Sequence, residues 1–144
     1  MLLITIFLTS IRFTHTLLSL TRTRDTLMTI TLETINPPET GSLDLKLHLS
    51  ANIQISPQRA YQLVSIYIGN QIADLLHGEQ PSLVIRDDGA FWRVPVILSS
   101  RSLGRIGQVG AIDVNVETGE LCLSDQITAE IETNADRLAI GAAL

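Results

Sequence analysis

The sequence predicts an α+β fold, an antiparallel sheet of about four to five strands packed with one long helix and one C-terminal helix. Three observations carry this. Ser56-Pro57 opens a segment whose apolar residues recur at three and four. Asp87-Asp88-Gly89 lies between two β-branched runs and reads as a hairpin turn. Glu117-Thr118-Gly119-Glu120 closes a run of strict alternation. Runs of strands flanked by helices, with no alternating βαβ unit, define the class.

Taken in order, residues 1–27 read as an addition to the domain. They are rich in Thr and Leu and hold Arg12, Arg22 and Arg24 against one acid, Asp25. A signal peptide would put bases before its apolar core. A membrane helix would need about 20 apolar residues without the breaks at Thr9, Ser10 and Arg12. The expectation is a non-native or disordered extension, with the native start at Met28. Residues 28–42 contain Asn36-Pro37-Pro38 and read as a flexible tether. Residues 43–140 read as the single α+β domain.

Leu43, Leu45, Leu47 and Leu49 alternate with polar residues and predict a strand, continued at Ile53 and Ile55 after a bulge. Ser56 caps the helix and Pro57 suits its first position. That helix is expected to reach about Leu76, with Tyr61, Val64, Ile68, Ile72 and Leu75 on its apolar face and His77-Gly78 at its end. Gly69 lies inside it, where a close strand crossing would explain it. Strands follow over Ser82–Arg86 and Ala90–Leu98, with Pro95 marking an edge or a bulge. Ser99–Gly107 reads as a flexible loop, Val109–Val116 and Leu121–Leu123 as strands. Ser124 or Asp125 caps a last helix to about Leu138, with Ile127, Ile131 and Leu138 on one side and a fraying end.

Bulk properties narrow the function. The chain has 144 residues, which suits one domain, and 45% hydrophobic residues with 17% charged, which suits a folded core. A net charge of −5 offers no footprint for nucleic acid. Cys122 is the lone cysteine, so neither a disulfide nor a cysteine zinc site is expected. Without a disulfide or an export signal, the expected location is cytoplasmic, with no membrane role.

Gly110–Leu121, GAIDVNVETGEL, resembles the closing hairpin of PepSY-type domains, with Asn115 where that family prefers Asp. The resemblance spans about Pro57–Leu123 and implies the helix-then-hairpin order. PepSY relatives are secreted, membrane-linked or protease-inhibitory. A closer similarity is to small bacterial proteins of cyanobacterial type. They share a W-R-V-P-V strand (Trp92–Val96), a glycine loop (Gly104–Gly110) and a D-V-x-x-x-T-G-E hairpin (Asp113–Glu120). Association of such proteins with PIN-type toxin nucleases implies an antitoxin-like role.

Candidate chemistry is sparse. Gly104, Gly107 and Gly110 have the spacing G-x-x-G-x-x-G, neither a dinucleotide fingerprint nor a P-loop. With Arg101 and Arg105, Gly104 and Gly107 could hold an anion in backbone amides; the competing reading is a plain connector. His15, His48 and His77 are scattered, and no metal or cofactor is expected. Cys122 reads as a small packing residue, and Asp87 and Asp88 as turn residues. Phe91 and Trp92 point to opposite faces of a strand, so one should be core. The other, beside Arg93, could anchor an interface. The expectation is a non-enzymatic interaction module. Trp92, Arg93, Asp87 and Asp88 are its candidate contact residues. A protein partner or a second copy is expected, and the acidic balance suits a basic partner. The alternative is a small-anion binder using Arg101 and Arg105.

Overall fold

A computed structural model describes residues 29–33, 39–42, 44 and 50–142. The expectations for residues 1–27, for Asn36-Pro37-Pro38 and for alternation over Leu43–Leu49 lie outside the described residues, as do His15 and His48.

The elements run β1 (Ile30–Leu32), α1 (Pro57–Gln71), β2 (Leu76–Gly78), β3 (Ser82–Arg86), β4 (Gly89–Ser100), β5 (Gly104–Asn115), β6 (Leu121–Cys122) and α2 (Asp125–Ala142). The fold is α+β, with a six-stranded mixed sheet, slightly more strands than expected. Along the sheet the order is β1-β3-β4-β5-β6, and β2 also pairs with β4. Only β1 is parallel to its neighbour, β3; the other pairings are antiparallel. The expected tether therefore contains a strand.

Strand β4 is the centre. Its residues pair with β5 from Phe91 to Ser100. Its other edge is shared, with β3 along Gly89–Arg93 and β2 along Val96–Leu98. Pro95 sits in the gap between them, where its carbonyl accepts from Glu79 N–H at 2.9 Å. A strand residue aims its N–H and C=O at the same edge. The missing donor of Pro95 therefore faces a break in the ladder, which is how an interior strand tolerates it. Neither an edge strand nor a bulge at Pro95 is needed.

Helix α1 begins as its capping residues dictate, with Ser56 Oγ accepting from Arg59 N–H at 3.1 Å and Pro57 in the first turn. It stops about five residues short of Leu76. Leu76–Gly78 instead joins the sheet, and Gly78 is buried against α1. A Cβ there would lie 2.9 Å from Val94 Cγ1, and its N–H donates to Ser65 Oγ. The His77-Gly78 pair is thus a close contact of strand with helix, not a left-handed cap. Leu75, expected on the apolar face, is 52% exposed.

The expected loop over Ser99–Gly107 is also strand on both sides of a tight turn. Its glycines have a packing role. Cβ atoms on Gly107 and Gly110 would come within 2.9 Å of Leu138 and 2.7 Å of Ile131. Those two residues lie two turns apart on α2. Strand β5 shifts register twice against β4, between Val96/Ile97 and between Leu98/Ser99, as bulges do when they raise twist. The bare backbone lets α2 settle onto β5, and Asn134 Nδ2 pins it by donating to Val109 O at 2.9 Å.

Both helices cover one face of the sheet. Ala60, Val64 and Ile68 of α1 and Ile131 of α2 share one cluster with Trp92, Val94, Val96, Leu98, Ile112 and Val114. The other face carries Arg86, Arg93 and Asp113, together with the buried Val84, Phe91 and Ile97. No helix among the described residues is long and apolar enough to cross a membrane.

Gly69 has no neighbour within 4 Å of a built Cβ, so no strand crosses there. Gly69→Ala should therefore raise stability by about 0.5–1 kcal/mol through helix propensity alone. Gly110→Ala should lower it by about 1–3 kcal/mol by overpacking against Ile131. Chemical denaturation of both variants decides this; equal midpoints would show that α2 does not depend on the bare strand.

Candidate functional site

The densest array of charged side chains lies on the sheet face away from the helices. The register places Arg93 opposite Asp113 across β4 and β5. Arg93 grips Asp113 with both arms of its fork, Nε to Oδ1 at 2.8 Å and Nη2 to Oδ2 at 2.8 Å. Such a planar two-bond match is specific to arginine and carboxylate. Arg86 of β3 adds Nη1 to Oδ2 at 2.9 Å, and its Nε reaches Asp88 Oδ1 at 3.2 Å. The Arg86 guanidinium also lies 3.9 Å from the centroid of Phe91. Arg93 Nη1 completes the chain of contacts by donating to Glu33, just past β1.

These contacts tie β1, β3, β4 and β5 together through one carboxylate that is only 8% exposed. The hydrogen bonds that Arg93 donates to Asp113 and Glu33 hold its guanidinium well above its ordinary pKa, so it stays charged. Two arginines face three carboxylates, Asp113, Glu33 and Asp88. The cluster is therefore neutralised from within and keeps no spare cation for an anionic ligand. Cys122 lies across the ladder from Asp113. Burial pushes its thiol up, against the pull of the nearby Arg86 guanidinium. A thiol held protonated is a poor nucleophile.

The four candidate contact residues do not form one patch. Trp92 points into the helix-side core at 1% exposure, and its Nε1 donates to Ile55 O at 2.6 Å. Phe91, on the other face, is also buried. One of the two was expected in the core; both are buried, so neither presents an open aromatic surface on the sheet. Arg93 is spent on Asp113 and Glu33. Asp87 and Asp88 are exposed in the hairpin turn, as read from sequence, with Gly89 at φ 142° completing it.

The glycine segment is also dispersed. Gly104 pairs with Ser100 at the turn, Gly107 lies under Leu138, and Arg101 is exposed on the turn. Arg105 is held by Glu79, with Nε to Oε1 at 2.7 Å and Nη2 to Oε2 at 3.3 Å. That contact lowers the Glu79 pKa and raises that of Arg105. The backbone amides run along a strand and do not converge.

Asp113, Glu33 and Glu79 were not singled out in sequence. Their partners stand 20 to 60 residues away, and only the strand register reveals them. His77 Nδ1 and Ser99 Oγ also meet at 3.2 Å across β2 and β4. Among the described residues no three metal-binding side chains converge. The Thr118-Gly119-Glu120 segment acts as turn chemistry. Asn115 Oδ1 accepts from the N–H groups of Glu117 and Thr118, and Gly119 has φ 77°. Asn115 therefore supplies the acceptor that an Asp would supply at this position.

Comparison with models of known families, with curated proteins and with solved structures finds no match.

Asp113→Asn should cost about 1–3 kcal/mol, because two guanidinium groups lose their charged acceptor. Urea denaturation measures it, and a loss under about 0.5 kcal/mol would mean the arginines re-pair without Asp113. Cys122 should be alkylated by iodoacetamide at pH 8 several-fold more slowly than a short cysteine peptide, since only the thiolate reacts. An equal rate would place the thiol in water.

Proposed function

We propose that the chain is a non-enzymatic protein-interaction module whose acidic side receives a basic protein. One observation supports this most. The arginines of the sheet are consumed by internal ion pairs, while the carboxylates of α2 are not. Asp125, Glu132 and Asp136 lie along one exposed side of α2, and Glu130 is exposed on a different side. Glu117 and Glu120 of the β5–β6 turn are exposed near its start. None of these six pairs with a cation among the described residues. A rigid helix carrying unpaired negative charge steers a positive surface toward itself.

The antitoxin-like form of this reading, with a PIN-type nuclease as the basic partner, rests on the sequence resemblance. Covering a nuclease's nucleic-acid surface would need this distribution of charge. The contact surface moves accordingly from Trp92 and Arg93, which are committed inside the domain, to α2 and the neighbouring turn. The anion-binding alternative gains no support, because Arg105 already holds Glu79.

Affinity capture of the tagged chain from native lysate, followed by mass spectrometry, tests the proposal. A stoichiometric basic protein is expected. Asp125→Lys, Glu132→Lys and Asp136→Lys together should weaken its capture by at least about tenfold. A partner retained unchanged by that variant, or none with the wild-type chain, would overturn the reading.

A further inference from the structure

Strand β1 is joined to the domain in an unusual way. It pairs with β3 alone, through three residues, at the end of the sheet. Its flanking backbone bonds are Leu83 N–H to Thr29 O at 3.0 Å and Glu33 N–H to Ile85 O at 3.1 Å. Neither Ile30 nor Thr31 is buried, and Ile30 is 58% exposed. Among the described residues, its one side-chain ion pair is Glu33–Arg93, in which both groups are about a third exposed. Exposed pairs of this kind hold weakly. In the chain, residues 33–56 separate β1 from α1.

We infer that the outer edge of β3 is a strand-accepting site, and that its second occupant is β1 from another copy of this chain. When β1 leaves, Leu83 N–H and Ile85 O lose their partners, and an edge with unmet backbone groups pairs with any chain that fits. The fit here is specific. Register sets Ile30 against Leu83 and Leu32 against Ile85, and a carboxylate one step later meets Arg93. A second copy reproduces each of these contacts, including the charge match. Exchange of an identical element is a low-cost route to a dimer. Because the closed chain competes at an effective concentration on the order of millimolar, the exchanged pair gains population as the protein is concentrated.

The test uses the full chain carrying Thr31→Cys, Val84→Cys and Cys122→Ser. Thr31 and Val84 are direct neighbours across the ladder, within reach of a disulfide. The protein is unfolded in urea, refolded at about 10 μM and about 1 mM, oxidised and separated by size exclusion with light scattering. We expect a dimer whose ratio to monomer rises with refolding concentration and which stays covalent on non-reducing gels. The variant Thr31→Pro, lacking a ladder donor, should lower that ratio at least about tenfold with the native cysteine retained. A dimer that dissociates on the gel into internally cross-linked monomers, no dimer at the higher concentration, or a dimer unaffected by Thr31→Pro would each overturn the inference.

Discussion

The antiparallel ladder between β4 and β5 is the contact to which the rest of the domain is attached. It runs from Phe91–Asn115 to Ser100–Gly104 and supplies both faces at once. On one face its alternate residues, Trp92, Val94, Ile112 and Val114, make the floor on which α1 and α2 lie. On the other, the same alternation sets Arg93 opposite Asp113. Strands β2, β3 and β6 are short and borrow their position from this pair. The α2 contact depends on it twice, through the glycines of β5 and through the register shifts that bend β5 beneath the helix.

What could be read from the residues was what is decided locally. The Ser56-Pro57 start, the Asp87-Asp88-Gly89 turn and the Thr118-Gly119-Glu120 turn depend on backbone groups within four residues, and each forms as its chemistry requires. The errors have a common cause. His77-Gly78 carries the local signal of a helix end, yet pairing with Val96–Leu98 takes Leu76–Gly78 into the sheet. Gly107 and Gly110 carry the signal of a loop, because a residue lacking Cβ looks the same whether it frees the backbone or admits a helix. Ile30–Leu32 is too short for periodicity to register. For the site, Asp87 and Asp88 stand in the turn their residue types indicate, and Trp92 stands on the strand and in the core. Alternation assigns Phe91 and Trp92 to opposite faces without saying that both faces are shielded. The partners of Arg93 and Arg105 depend on register and stayed invisible.

The division of charge follows from the same geometry. The sheet sets arginines at fixed spacing from acids: Arg93 meets Asp113 on the next strand, Arg86 reaches the same carboxylate from β3, and Arg105 meets Glu79 just past β2. The acids of α2 stand on a helix packed against glycine and aliphatic residues, with no cationic strand beside them. A chain of modest net charge can thus be locally neutral on its sheet and strongly negative along one helix.

The Asn134 contact has a consequence for how the molecule avoids fibres. Among the described residues, β6 pairs with β5 only at Asp113 and Val114, which leaves the remaining length of β5 as a second flank of the sheet. There Asn134 occupies the carbonyl of Val109, and Gln108 occupies that of Gly110. Open-ended stacking requires a donor flank and an acceptor flank on each molecule. With side-chain amides already seated on this one, two acceptors that a docking strand would need are taken, which weakens pairing along this flank.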